Sequence, residues 1–148
     1  MEAALELLVE LLKRFEGCRL KAYKCPAGIW TIGWGETLGV REGDVWTQER
    51  ADAVLRQRAG QFLIATLKRC PGLYQESAER VAACTSLAYN IGVGAFSASS
   101  VSRKTTRREY QGAANAFLFW NKAAGSVLPG LTVRRQTERL KYLADKGK

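Results

Sequence analysis

Residues 14–37, RFEGCRLKAYKCPAGIWTIGWGET, decide how the rest of the chain is read. Ahead of them, Leu5, Leu8, Val9, Leu12 and Phe15 recur at helical spacing, which predicts an amphipathic helix over about residues 3–15. Gly17 is placed to stop it. Inside the stretch the period changes. Leu20 and Ala22 alternate with charged neighbours, CPAG carries turn chemistry, and IWTIGW is β-branched and aromatic. That pattern predicts a short antiparallel hairpin turning near residues 26–28. A carboxyl group, Glu16, therefore stands where helix gives way to hairpin, and two thiols, Cys18 and Cys25, bracket the segment that follows.

Downstream, LGVREGDVWTQER reads as a loop, with Thr47 as N-cap of a helix to about Lys68. Ala53, Leu55, Ala59, Phe62, Leu63 and Leu67 supply its apolar positions. Pro71 and Gly72 interrupt the pattern, and a second helix over about 75–90 points Val81, Cys84, Leu87 and Ala88 inward. IGVGAFSASS is a junction. Shorter helices follow over about 97–105 and 109–121, then a loop, AAGSVLPGL, and a last basic helix over about 132–144. No repeat, linker or low-complexity tract divides the chain. The expected class is α+β: one mostly helical domain over 1–148, with a small β-hairpin lobe near the N-terminus beside a larger helical lobe.

Composition bounds the function. The chain has 23 Lys and Arg against 14 Asp and Glu, a formal charge of +9, and 47% hydrophobic residues. Such a charge favours a polyanion, with nucleic acid first on charge alone and anionic membrane or cell wall behind it. The basic tract RKTTRREY and the final helix carry no interleaved stacking aromatics, so both read as solvated faces rather than as an RNA-binding module. The chain has no histidine, which removes histidine-based proton transfer and most zinc hydrolase schemes. Cys18, Cys25, Cys70 and Cys84 form no CxxC pair, and with no His to complete it no metal site is expected. No run approaches the roughly 20 apolar residues that cross a bilayer. The opening MEAALELLVELLKRFEG is led by acidic residues and fits neither a signal peptide nor a membrane anchor.

Glu16 is the residue with chemistry in it. At a helix C-terminus the dipole disfavours a negative charge, and Phe15, Trp30 and Trp34 offer an apolar wall. Both effects favour the protonated carboxyl, as a general acid near neutrality requires. The plain alternative is a solvated glutamate.

The same stretch resembles the catalytic segment of the T4-type phage lysozymes, the muramidase or endolysin family. Its pattern of Glu, eight residues, Asp or Cys, five residues and Thr is met by Glu16, Cys25 and Thr31. EGCRLKAY and WTIGWG match the surrounding framework, LAYNIGVGAF resembles the helix and turn across the cleft, and VLPGLTVRRQTER resembles the closing loop and helix. The resemblance implies a two-lobed lysozyme-like fold that hydrolyses the β-1,4 bond from N-acetylmuramic acid to N-acetylglucosamine in peptidoglycan. It makes Glu16 the general acid, with Cys25 and Thr31 positioning the water, and implies an inverting, cofactor-free monomer. It also implies accumulation in the host cytoplasm and passage to the periplasm or wall through a holin lesion. A catalytically silent peptidoglycan-binding module is the rival.

Several residues depart from the family pattern or stay open within it. Most relatives carry Asp at the position of Cys25, and Lys21 and Lys24 are near enough in sequence to promote its thiolate. A Cys18–Cys25 disulfide would withdraw that thiol. The expectation is two cytosolic thiols whose oxidation inhibits. Cys70 and Cys84, placed at the start and middle of one helical unit, either bridge or simply pack. Glu36 stands where many relatives have His, and reads either as a second carboxylate or, better, as one half of an ion pair. Arg134 or Arg135 is expected behind Glu16, favouring its ionised form.

Overall fold

The computed structural model describes residues 1–144. Helix α1 (Glu2–Phe15) buries Ala4, Leu8, Leu11 and Leu12. Leu5, Val9 and Phe15 of the expected stripe lie only at the edge of the core. The helix ends because Glu16 turns to an extended conformation, φ −98° and ψ 134°, while its N–H still donates to the Leu12 carbonyl. The chain then enters the hairpin, β1 (Arg19–Lys24) and β2 (Trp30–Gly33), paired antiparallel with Lys24 opposite Trp30 and Tyr23 opposite Thr31. Residues 44–46 add a short third rung on the other side of β1. The Trp46 N–H donates to the Leu20 carbonyl at 2.8 Å, and the Ala22 N–H to the Asp44 carbonyl at 2.9 Å.

Helix α2 (Gln48–Arg69) begins as expected, with the Thr47 hydroxyl accepting from the Arg50 N–H at 3.1 Å. Its core stripe, Ala51, Leu55, Ala59, Leu63 and Leu67, recurs every four residues, and Ala53 faces solvent. A 3-10 turn at Pro71–Gln75 precedes α3 (Ala78–Ile91), capped by the Ser77 hydroxyl on the Arg80 N–H. The expected helix from residue 75 thus starts later. From Val81 through Ala88 every residue of α3 is buried, because α1, α2 and α7 (Pro129–Leu143) all pack against it. Its small residues, Ala82, Ala83, Ser86 and Ala88, let those neighbours approach closely.

The expected junction holds a short helix of its own, α4 (Val93–Ser97), and the expected helix over 97–105 is α5 (Ser100–Thr106). The one over 109–121 is α6 (Tyr110–Ala116) followed by a 3-10 turn at Phe117–Phe119. The loop AAGSVLPGL instead holds a tight hairpin, β3 (Lys122–Ala123) with β4 (Ser126–Val127). Ala124 and Gly125 turn it at φ 51° and 82°, a left-handed pair that Ala rarely supplies. The last helix begins at Pro129 rather than Thr132, since proline's fixed φ suits the first helical position. The result is lysozyme-like: a mostly helical α+β fold with a small hairpin lobe. Among the described residues no helix is long and apolar enough to cross a membrane.

Candidate active site

Glu16 is held from three directions. Its backbone is tied to α1, and one carboxylate oxygen, Oε1, lies 3.5 Å from Arg134 Nη1 on α7. The other oxygen faces Gly35, where a Cβ would come within 3.4 Å of Oε2. Gly35 has φ +92°, so glycine serves both the backbone and the space. The Glu16 side chain is 31% exposed and Arg134 only 7%. The guanidinium also rides over the Phe15 ring, 4.5 Å from its centroid, which fixes its plane.

Arg134 belongs to a buried cluster. Glu138, fully buried, receives the Ser86 hydroxyl at 2.5 Å, Arg134 Nε at 3.3 Å and Arg135 Nη2 at 3.0 Å on Oε2. Its Oε1 pairs with Arg135 Nε at 2.6 Å. Arg134 also donates to the Ser86 carbonyl at 3.3 Å, and Arg135 to Asn90 Oδ1 at 2.9 Å and the Trp120 carbonyl at 3.2 Å. Burial draws the Arg135 guanidinium below its ordinary range, against the pull of Glu138. The last helix, whose basic tract reads from sequence as a solvated face, thus turns Arg134 and Arg135 inward. Of the two arginines, Arg134 is the one that meets Glu16.

The hairpin supplies the other two expected residues. Cys25 follows β1 directly and is half-exposed. Hydrogen bonding to the backbone at Ile29 lowers its thiol from the ordinary range, opposed by partial burial and helped by Ala27 and the Thr31 side chain. The expected lysines are not the cause; the tight turn is. Thr31 on β2 is 4% exposed, and its hydroxyl donates to the Ile29 carbonyl at 2.9 Å. The same hydroxyl bears on the Cys25 sulfur, and its lone pairs can accept from a further donor. Cys25 and Thr31 thus form one unit within the hairpin. Among the described residues neither hydrogen-bonds Glu16, which is instead approached by Gly35 and Arg134.

A Cys18–Cys25 disulfide does not fit this hairpin. The two residues flank β1 end to end, and a strand rising about 3.3 Å per residue separates them by roughly 20 Å. A disulfide requires Cα atoms within about 7 Å. All four cysteines are free, and oxidation of this pair requires β1 to come apart. Cys70 and Cys84 do not share a helix. Cys70 caps α2 with its sulfur 3.2 Å from Ser102 Oγ, and Cys84 lies mid-α3, its thiol pushed well up by burial.

Beside Gly35 opens a cleft of about 440 Å³, bounded by Trp34–Leu38, by Val54, Arg58 and Phe62 of α2, and by Tyr89 of α3. Its aromatic walls are braced from behind. Trp34 Nε1 donates to Asp52 Oδ1 at 2.8 Å, and Phe62 stacks on Tyr89 at 4.7 Å. The indole N–H, then Gln48 and Lys13, hold the Asp52 carboxyl below its usual range despite partial burial. Burial and the nearby Glu16 and Glu36 charges push the Tyr89 phenol up. Glu36 is the half of an ion pair: Arg58 grips Oε1 at 2.8 Å and Oε2 at 2.9 Å. Burial would raise its carboxyl, but Arg58 and the Leu38 and Thr37 N–H groups prevail and lower it. Sequence reasoning missed Glu138, Ser86 and Tyr89. The four-residue step from Arg134 to Glu138 was the available signal for the first.

Comparison with known proteins identifies the family. The profile of the family described as Phage lysozyme matches residues 13–138. An endolysin of Acyrthosiphon pisum secondary endosymbiont phage 1 is 43% identical over 135 residues, covering 87% of this chain and 90% of that one. Among solved structures, an endolysin from Escherichia coli O157:H7 phage FAHEc1 superposes with a TM-score of 0.84 at 30% identity, covering 93% and 90% of the two chains. The muramidase domain of SpmX from Asticaccaulis excentricus gives a TM-score of 0.81 at 35% identity, covering 92% and 94%. Sequence and fold together place the chain in the phage lysozyme family, as an enzyme of lysozyme type.

Proposed function

We propose that this lysozyme is an endolysin that hydrolyses the β-1,4 bond from N-acetylmuramic acid to N-acetylglucosamine in peptidoglycan, with Glu16 as general acid. The observation that carries the reading is the asymmetric hold on Glu16. One oxygen is tied to Arg134, while the other is left open beside a residue with no side chain. An acid that protonates a glycosidic oxygen needs one such free face. Cys25 and Thr31 position the water, Thr31 as acceptor and the Cys25 thiolate as the anion that other relatives supply with Asp. Water then attacks directly and the configuration inverts. The enzyme works as a single-domain monomer without cofactor, accumulates in the host cytoplasm and reaches the wall through a holin lesion. Its charge of +9 assists docking on the anionic wall.

The test is the release of reducing ends from purified peptidoglycan under reducing conditions, comparing wild type with Glu16→Gln. The expected loss is at least about 100-fold, the size of a general-acid contribution. Equal cleavage by both proteins would remove Glu16 from the chemistry and turn attention to Glu36. Wall binding without any cleavage would leave a silent peptidoglycan-binding module.

A further inference from the structure

The buried cluster behind the acid contains more charge than anchoring α7 requires. We propose that Glu138 is a positioning residue of the reaction: it shares the Arg134 guanidinium with Glu16, so that Arg134 orients the acid without holding it permanently as a carboxylate. This rests on the reading of Glu16 as the general acid.

An arginine that is 7% exposed and faced Glu16 alone would be a strong trap for the ionised carboxylate, and an ionised acid cannot donate. The geometry divides that attraction. Arg134 Nε lies 3.3 Å from Glu138 Oε2, whereas Arg134 Nη1 lies 3.5 Å from Glu16 Oε1. Glu138 is the more deeply buried carboxylate, and its charge is supported by the Ser86 hydroxyl and by Arg135. These hydrogen bonds tie Glu138 to both arginines and draw Arg134 toward α3. Glu138 thus shares both arginines, and of the two carboxyl groups Glu16 is the one with an oxygen open to a reacting partner.

The surroundings supply no substitute for Glu138. Glu16 is faced by Arg134 from α7, by Tyr89 from α3, and from the hairpin side by Gly35 and by Glu36 with its α2 partner Arg58. Glu36 already serves Arg58 through both oxygens. Tyr89 is neutral across the working range. On the far side Glu138 meets Ser86 and Cys84 of α3, with Arg134 and Arg135 of its own helix. Cys84 is a buried neutral thiol and adds no charge.

The experiment is the pH dependence of kcat/KM on peptidoglycan for wild type, Glu16→Gln, Glu138→Gln and Glu138→Asp, with a thermal melt for each. Removing the Glu138 charge leaves all of Arg134 to Glu16, so the carboxylate forms at lower pH. The alkaline limb of the profile moves to acid by about one unit. Glu138→Asp keeps the charge, so its limb stays with wild type while kcat falls through altered packing. If Glu138→Gln does not fold, its combination with Arg135→Met restores the balance of buried charge and carries the same expectation. An unmoved alkaline limb in the neutral variant, whatever its melting temperature, overturns the proposal and leaves Glu138 a packing residue. Full activity in Glu16→Gln would instead sink the reading of the acid itself, and is read from a different protein in the same series.

Discussion

Replacing Gly35 by alanine separates the two reasons for glycine at that position. The backbone stands at φ +92°, where an L side chain is strained by about 1–2 kcal/mol. The added methyl would also lie 3.4 Å from Glu16 Oε2 and 4.0 Å from its carboxyl carbon, in ordinary van der Waals contact. Against a total stability of about 5–15 kcal/mol the strain leaves roughly 99% of molecules or more folded at 25 °C. It lowers the melting temperature by about 2–8 °C for a chain of this size. Strain alone therefore cannot reduce activity measurably at room temperature. The methyl can, because a substrate oxygen must come within about 2.6–3.2 Å of the acid to take its proton. Reducing-end release at 25 °C should fall by at least about 100-fold, far beyond anything the melt explains. A variant that melts lower yet cleaves within about threefold of wild type would refute the idea that Oε2 delivers its proton past Gly35.

Two further expectations follow from the hairpin. Glu36→Gln removes an anion that serves Arg58 and two backbone N–H groups, and should lower stability by about 1–3 kcal/mol. Because the folded Glu36 carboxyl ionises more readily than the unfolded one, its stabilisation is complete above the ordinary carboxylate range and is lost as pH falls through the lower folded value. The gap in melting temperature between wild type and variant should therefore close in acid, and a gap that stays constant would show that the ion pair contributes nothing. Cys25 behaves alike in a higher window: its stabilisation is present above the ordinary thiol range and fades as pH falls through the lowered folded value. Iodoacetamide should modify Cys25 at lower pH in the folded protein than in the unfolded chain. Coincident alkylation profiles would remove the turn's hold on the thiolate.

The elements that a sequence can announce are those set by local chemistry. Helix α1, the hairpin and the Thr47 cap are written in periodicity and turn residues, and lie within a residue or two of their expected places. Glu16, Cys25 and Thr31 stood out through the family resemblance that their spacing and flanks carry, and the structure pairs Glu16 with Arg134 rather than with either hairpin residue. Long-range pairing was legible only in part. An arginine behind Glu16 was expected from the resemblance, but not the Ser86 and Asn90 partners that α3 offers to Arg134 and Arg135 across 40 or more residues. The β3–β4 turn stayed hidden because Ala124 adopts a conformation its type avoids, and only the antiparallel pairing around it makes that acceptable. The lysines beside Cys25 were the obvious electrostatic partners in one dimension. In three, the backbone at Ile29 and Ala27 is what lowers the thiol.

The short rung at residues 44–46 bears on how the protein behaves when concentrated. It covers the Leu20–Ala22 stretch of β1 on one side, and β2 pairs with the other. The outer side of β2 is consumed in turn, since the Ile32 N–H and carbonyl both bond to Glu36 at 2.9 Å. An unpaired strand edge is where β-rich lobes recruit one another into aggregates. Here the sheet is closed by its own connecting loops, and a second copy finds no continuous row of donors and acceptors to extend.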